Sequence, residues 1–226
     1  MIVFDHVSKR YPGGQAALRD VSFSVERSEM VFITGHSGAG KSTLLRLIAS
    51  IESPSSGTIT VNGRDLARLS GRHIAKHRRD IGVIFQNPTL LKEQSVFENV
   101  ALPLRVIGLG SSDIQRRVRA ALDQVGLLDR QNALPTSLSG GEQQRVGIAR
   151  AIVGRPPVVL ADEPTGNLDA SLSSNIMDLL VGLNKTGVTI LVATHDMLLI
   201  RDLPHRRLHL EVGLLDEQTP AVTPGG

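Results

Sequence analysis

Residues 35–43 read GHSGAGKST, a short stretch with three glycines, one lysine and two adjacent hydroxyl side chains. Its first eight residues match the pattern GxxxxGKS of a phosphate-binding loop. The apolar run Met30–Thr34 precedes the loop, as expected of a strand buried on both faces, and leucines at helical spacing follow it. Glycines let the backbone wrap closely around phosphates, and a helix N-terminus adds positive potential. The stretch therefore predicts a strand, a loop and a helix that bind a nucleoside triphosphate.

Each position of this loop has an expected task. Lys41 is expected to contact the β- and γ-phosphates, the Ser42 hydroxyl to bind Mg²⁺, and Thr43 to donate to the α-phosphate. The remaining loop residues are expected to surround the phosphates with backbone N–H groups, namely Gly35, His36, Ser37, Gly38, Ala39 and Gly40. The alternative is a glycine-rich turn with an incidental lysine, which the flanking strand and helix disfavour.

Four apolar runs each end at a residue suited to chemistry: Gly35, Gln86, Asp162 and His195. Buried strands that alternate with helices predict an α/β fold with a mainly parallel core sheet, the arrangement of a P-loop NTPase. Open sheets of this kind bind ligands at the carboxyl ends of their strands. We therefore expect the four ends to meet at one edge of the sheet.

A second, antiparallel sheet is predicted near the start of the chain. Residues 2–10 and 18–26 alternate apolar and polar side chains, and Pro12-Gly13-Gly14 forms a turn between them. Thr58–Val61, followed by Asn62-Gly63, predicts a further strand and a tight turn.

A helical subdomain is predicted over residues 87–155. Within it, Asp113–Leu128 has helical periodicity, and Ser112 and Gln115 have the spacing of a capping box. Residues 213–226 are rich in proline, glycine and threonine and are predicted to form a flexible tail. These segments and the two sheets are expected to form a single domain over residues 1–226.

The composition limits the function classes. The 226 residues include no cysteine, which excludes disulfides and thiolate metal sites. No stretch approaches the roughly 18 apolar residues of a membrane span, and the start MIVFDHVSKR does not resemble a signal peptide, so a cytoplasmic protein is expected. The net charge of +3 leaves nucleic acid open, but dispersed basic residues and only 3% aromatic residues disfavour it.

Two further motifs favour nucleotide hydrolysis. VVLADE ends a predicted strand at Asp162, a suitable magnesium carboxylate, and at Glu163, a candidate general base for an attacking water. Acids are also common in loops after strands, which is the alternative interpretation. LSGGEQQR places Ser139, Gly140 and Gly141 before a predicted helix and so forms a second anion-binding turn. One nucleotide needs only one phosphate loop, so this turn is expected to cap the γ-phosphate held by another subunit.

LSGGEQQR resembles the signature sequence of ATP-binding cassette (ABC) proteins, and the other family motifs follow in the expected order over residues 1–212. The resemblance implies that Gln86 contacts Mg²⁺ and water, that His195 contacts the γ-phosphate, and that Tyr11 stacks on adenine. It also implies that Asp169, in the sequence NLD, lies across a dimer interface. Simple packing of Tyr11 and an ordinary hydrogen-bonded histidine at 195 are the alternatives.

The complete predicted site follows from these motifs. The predicted catalytic residues are Lys41, Gln86, Glu163 and His195. The predicted magnesium ligands are Ser42, Gln86 and Asp162. The predicted ATP-binding residues are Tyr11, the loop from Gly35 to Thr43, Ser139, Gly140, Gly141 and Asp169.

The resemblance also implies partners. ABC cassettes pair head to tail with two ATP molecules between them, so a homodimer is expected in the ATP-bound state. With one cassette and no membrane span, the chain is expected to sit on the cytoplasmic face of the cell membrane, held only by a separate integral membrane partner. ADEPTGNLD (161–169) is typical of members that serve macrolide export, lipoprotein release and cell division. GHSGAGKSTLL (35–45) favours the cell-division members; the export and lipoprotein-release members remain the alternative.

Overall fold

A computed structural model describes residues 1–218 as two sheets flanked by helices. The strands are β1 (Ile2–Arg10), β2 (Ala16–Val25), β3 (Met30–Thr34), β4 (Ser56–Val61), β5 (Arg64–Asp65), β6 (Ile81–Ile84), β7 (Val158–Asp162), β8 (Thr189–Ala193), β9 (Arg206–Glu211) and β10 (Leu214–Gln218). The helices are α1 (Lys41–Ile48), α2 (Arg72–Arg79), α3 (Val96–Val106), α4 (Ser111–Gln124), α5 (Gly140–Ile152) and α6 (Ala170–Lys185). None of these helices is long and apolar enough to cross a membrane.

The larger sheet has the strand order β10-β9-β3-β8-β7-β6. All neighbouring pairs are parallel except β10, which runs antiparallel to β9 at the edge. β3 and β8 are buried throughout, as expected of apolar strands covered on both faces. The predicted α/β fold with a mainly parallel core sheet is confirmed.

The smaller sheet is antiparallel and has the order β2-β1-β4-β5. Phe4 and Phe23 stack on its inner face with ring centroids 4.6 Å apart. Asn62 and Gly63 both have positive φ, which is the tight turn predicted between β4 and β5. The predicted antiparallel strands are therefore confirmed.

Helix α1 lies between the two sheets and contacts strands of both. Its apolar side chains are buried in one core that the two sheets share. Helices α3 to α6 cover the opposite face of the larger sheet and form the second core. The loop before α1 is consequently fixed between a buried strand and a helix packed on both sides.

Residues 87–155 contain α3, α4 and α5, which pack on one another. Ile114, Val118 and Leu122 point into the core, as the periodicity predicted. The predicted capping box at Ser112 is wrong. The N–H of Ile114 bonds to the carbonyl of Gly110, so Ser112 already lies in the first turn and no side chain caps the helix.

The predicted flexible tail is wrong for Leu214–Gln218, which form β10. Leu215 pairs with Leu210 of β9, and Glu217 forms an ion pair with Arg206. The N–H of Gly213 also donates to the carbonyl of Ala39, so this hairpin supports the phosphate loop. The rest of the predicted tail, residues 219–226, lies outside the described residues.

Candidate nucleotide-binding site

The phosphate loop joins β3 to α1, as predicted, and two of its glycines are required by close backbone contacts. Gly35 has φ 141°, and a Cβ there would lie 2.2 Å from the carbonyl oxygen of Leu210. Gly40 has φ 111°, and a Cβ there would lie 2.3 Å from the carbonyl oxygen of Ala17. Any larger residue at either position would displace the loop from its supports.

The Lys41 side chain folds back into the loop and is 6% exposed. Its Nζ donates to the carbonyls of Gly35 at 2.8 Å and His36 at 3.2 Å, and it lies 3.3 Å from Glu163 Oε1. The ammonium is therefore held at the centre of the loop, and its one anionic partner, Glu163, follows the end of β7, far away in the sequence.

Ser42 and Asp162 lie side by side, and the Ser42 hydroxyl donates to Asp162 Oδ1 at 2.9 Å. Burial raises the pKa of the Asp162 carboxyl and the charge of Glu163 adds to this, against the hydrogen bond from Ser42. Both side chains offer hard oxygen ligands of the kind Mg²⁺ takes together with phosphate oxygens and waters. Residues 1–218 contain no cluster of three or more His, Cys, Asp or Glu side chains able to hold a metal alone. The pair fits a magnesium ion that a nucleotide also holds.

Glu163 and His195 form the second half of this strand-end cluster. Glu163 follows β7 with φ 47°, and its N–H bonds to the carbonyl of Ala193 at the end of β8. His195 Nδ1 donates to Glu163 Oε2 at 2.9 Å. The Glu163 carboxylate thus bridges the Lys41 ammonium and the His195 ring, a contact that the motifs alone did not predict.

Lys41, Ser42, Glu163 and His195 open into a cleft of about 580 Å³, whereas the predicted magnesium ligand Asp162 lines a smaller cavity that shares Ser42 with it. The lining of the cleft includes most of the predicted site: Tyr11, His36, Ser37, Gly38, Gly40, Lys41, Ser42, Thr43, Gln86, Glu163 and His195. Gly35 and Ala39 do not line it, because Gly35 faces Leu210 and the Ala39 side chain is buried in the core. Gln15, Ala17 and Arg46 also line the cleft, and sequence reasoning missed them because they belong to no motif.

The predicted signature residues Ser139, Gly140 and Gly141 do not line the cleft, and neither does Asp169. Ser139 instead caps α5 in a reciprocal capping box with Glu142, whose pKa the hydrogen bonds from the Ser139 backbone and hydroxyl lower. Asp169 caps α6 through the N–H of Leu172. A Cβ on Gly141 would lie 3.0 Å from Leu172, so the two helix starts pack together. The two elements predicted to bind phosphate therefore lie apart in one chain.

Comparison with known proteins agrees with this geometry. Residues 18–166 match the family model described as ABC transporter. The chain is 56% identical over 215 residues to the cell division ATP-binding protein FtsE of Escherichia coli K12, with 95% of this chain and 97% of that protein covered. It is 48% identical to FtsE of Mycobacterium tuberculosis, with 96% of each covered. It is 44% identical to the methionine import ATP-binding protein MetN of Geobacillus kaustophilus, with 96% of this chain and 65% of that protein covered.

The fold also matches solved structures. The dimeric structure of a post-hydrolysis state of the ATP-binding cassette MJ0796, bound to ADP and Pi, superposes with a TM-score of 0.88 at 35% identity, with 100% of both chains covered. The family model covers the phosphate loop and the ends of β6 and β7, and the relatives and this structure also cover the end of β8 with His195. The chain therefore belongs to the ABC transporter family and is an ATPase of that family.

Proposed function

We propose that this chain is the ATPase subunit of a cell-division complex, bound at the cytoplasmic face of the cell membrane to an integral membrane protein of the FtsX kind. The observation that carries the proposal is the 56% identity to FtsE over almost the full length of both proteins. The same relationship, at 48% identity, extends to a distant organism. The similarity spans the helical segment as well as the phosphate loop, and this segment is the part that a membrane partner would contact.

In this proposal ATP lies in the cleft, with the triphosphate along residues 35–43 and the adenine against Tyr11. Lys41 exchanges its contact with Glu163 for the γ-phosphate, and Thr43 donates to the α-phosphate. The support is the position of the Lys41 ammonium, which is buried among carbonyls beside one removable carboxylate. Phosphate oxygens are stronger acceptors for it than the loop carbonyls.

Ser42, Asp162 and Gln86 would hold Mg²⁺, which when bound neutralises negative charge on the β- and γ-phosphates. Glu163, once released from Lys41, takes a proton from the attacking water as general base. His195 keeps the Glu163 carboxylate oriented and contacts the γ-phosphate. The support is that these side chains already lie within hydrogen-bonding distance of one another in two pairs, Ser42 with Asp162 and Glu163 with His195.

A second copy of the chain would complete the site. Ser139, Gly140 and Gly141 of that copy, with its Asp169, would close over the γ-phosphate, so that two ATP molecules hold a head-to-tail homodimer. The support is that the signature turn lies outside its own cleft and that the structure of MJ0796 is a dimer. Closure of the pair would be transmitted to the FtsX-like protein, which would activate peptidoglycan hydrolases at the division septum.

The test is a pull-down from detergent-solubilised membranes with the Glu163→Gln variant, ATP and Mg²⁺, followed by mass spectrometry. Capture of an FtsX-like protein together with septal proteins supports the proposal. The matched control adds Lys41→Ala, which removes the ATP-dependent capture. Recovery of an export or lipoprotein-release permease instead would contradict the cell-division role and leave the proposed active site intact.

The second candidate is the ATPase subunit of a transporter. The 44% identity to a methionine import protein favours it, because the same cassette serves an import system there. The cleft would be the same in both cases, so only the membrane partner distinguishes the two functions.

A further inference from the structure

The Tyr11 ring, which forms one wall of the nucleotide cleft, has a cation behind it. Its hydroxyl lies 3.1 Å from Thr43 Oγ1. The Lys9 Nζ lies over the ring, 5.2 Å from its centroid, which is within the range of a cation–π interaction. Tyr11 lines the cleft and Lys9 does not, so the ammonium sits on the side of the ring that faces away from the cleft.

The Lys9 ammonium is held in this position by groups from the turn after α1. It lies 3.3 Å from Glu52 Oε2 and donates to the carbonyl of Ser53 at 2.8 Å. Both charged side chains are largely covered, with 15% of Lys9 and 20% of Glu52 exposed. Glu52 Oε1 also lies 3.5 Å from Arg46 Nη1, on the helix that follows the phosphate loop.

The Glu52 carboxylate is stabilised in its charged form. Burial raises the pKa of this carboxyl. Hydrogen bonds from Tyr11 and Lys9, together with the charges of Lys9 and Arg46, lower it by more than burial raises it, so the pKa lies below its usual value. The carboxylate therefore stays available to hold the lysine. The result is a covered cluster that joins the end of β1 to the end of α1 directly behind the ring.

We propose that Lys9 and Glu52 are positioning residues for adenine recognition. Lys9 draws the π-electrons of Tyr11 toward the far face of the ring and holds the ring in place, and Glu52 holds Lys9. The face toward the cleft then becomes a poorer electron donor and a better stacking surface for an electron-rich purine. This inference rests on the proposed stacking of adenine on Tyr11.

The chain allows a direct readout, because Tyr11 is its only tyrosine and it has no tryptophan. Tyrosine fluorescence therefore reports on this ring alone. ATP is titrated against the wild type, Lys9→Met, Lys9→Arg and Glu52→Gln, with Lys185→Met as a control for the loss of an exposed lysine. Inorganic tripolyphosphate serves as the second probe, because it occupies the phosphate loop without a base.

Lys9→Met and Glu52→Gln are expected to weaken ATP binding about two- to fivefold, the size of a cation–π contribution at a partly exposed site. The loss is expected in KM rather than in kcat, and the affinity for tripolyphosphate should stay at the wild-type value. Lys9→Arg, which keeps the positive charge, should retain the wild-type affinity for ATP. Equal losses for ATP and tripolyphosphate, or wild-type ATP binding by Lys9→Met, would overturn the inference.

Tyr11→Ala separates this inference from the proposal on which it rests, and because this variant has no tyrosine or tryptophan its binding of ATP and tripolyphosphate is measured by titration calorimetry, with the wild type titrated in the same way. If Tyr11→Ala weakens ATP binding and spares tripolyphosphate while Lys9→Met has no effect, adenine stacking stands and the positioning role fails. If Tyr11→Ala leaves ATP affinity unchanged, the stacking assignment fails, and the positioning role fails with it.

Discussion

The two regions proposed to bind phosphate differ in how far one copy of the chain completes them. At the strand ends, Lys41, Ser42, Asp162, Glu163 and His195 come from distant parts of the sequence and already contact one another. The signature turn, by contrast, is local in sequence, and Ser139 bonds to Glu142 of its own helix. A Cβ added to Gly140 or Gly141 would meet only leucine side chains near the start of α6.

This difference separates two kinds of function. The parallel sheet brings the first set together, so under the proposed function one folded chain suffices to bind the nucleotide. The signature turn is well formed but does not line its own cleft, so its proposed contribution requires a second copy. Variants of the first region should therefore affect nucleotide binding by a single chain, and variants of the second should affect nucleotide hydrolysis only through the assembled pair.

The largest effect is expected from Glu163→Gln. Loss of the general base should lower ATP hydrolysis by about 10²- to 10⁴-fold. ATP affinity should be retained or increased, because Lys41 loses the ion pair that competes with the γ-phosphate. Phosphate release and equilibrium ATP binding measure the two quantities, and hydrolysis above a tenth of the wild-type rate would contradict the assigned role.

Gly140→Asp tests the signature turn. A carboxylate here has room, since a Cβ would meet only Leu168 at 4.0 Å, and it suits a helix N-terminus. It should oppose the γ-phosphate of the second copy and lower hydrolysis about a hundredfold. ATP binding by the single chain should stay within about twofold of wild type. Gly140→Ala is the matched control, and equal loss of binding and hydrolysis in Gly140→Asp would break the distinction between the regions.

Asp162→Asn should raise the thermal stability of the nucleotide-free protein at pH 7. Burial raises the folded-state pKa of Asp162, so the fold favours its protonated form. This contribution to stability is present below pH 3.8 and is lost as the pH rises through the folded-state pKa. Asparagine keeps an acceptor for Ser42 and removes the buried charge. The gain should vanish below pH 3.8, and stabilisation by Mg²⁺ and ATP should be lost. Asp178→Asn, on the exposed face of α6, is the control.

The smallest effect is expected from Ser139→Ala, which removes one half of the capping box of α5. The free energy of unfolding should fall by about 1 kcal/mol at pH 7. The pKa of Glu142 is lowered by its bonds to Ser139, so this stabilisation is present above 4.5 and is lost as the pH falls through the folded value. Denaturant unfolding at two pH values measures it, and a wild-type free energy at pH 7 would exclude the cap.

The sequence was sufficient to predict the strands, the loop and the helix that have strong local signals. The loop at 35–43 lies between a buried strand and a helix, and Gln86, Glu163 and His195, which follow the ends of β6, β7 and β8, line the cleft. These features depend on hydrophobic periodicity, which can be read from the sequence, and on the rule that the carboxyl ends of parallel strands meet at one edge of the sheet.

The features that the sequence did not predict depend on tertiary contacts. Arg46 and Gln15 line the cleft only because of how α1 and the β1–β2 connection pack. The bridge from Lys41 to Glu163 joins two residues for which the motifs predict other partners, the γ-phosphate and the attacking water. The strand Leu214–Gln218 follows a β-hairpin turn at Val212 and Gly213, and its pairing with β9 overrides its weak local preference.

The most direct test of a site shared between two copies is sedimentation of the Glu163→Gln variant with and without ATP and Mg²⁺. We expect the monomer mass without nucleotide and twice that mass with it, and we expect the added Gly140→Asp substitution to abolish the dimer while ATP remains bound. A monomer that stays monomeric at saturating ATP, or a dimer that Gly140→Asp leaves intact, would contradict the shared site.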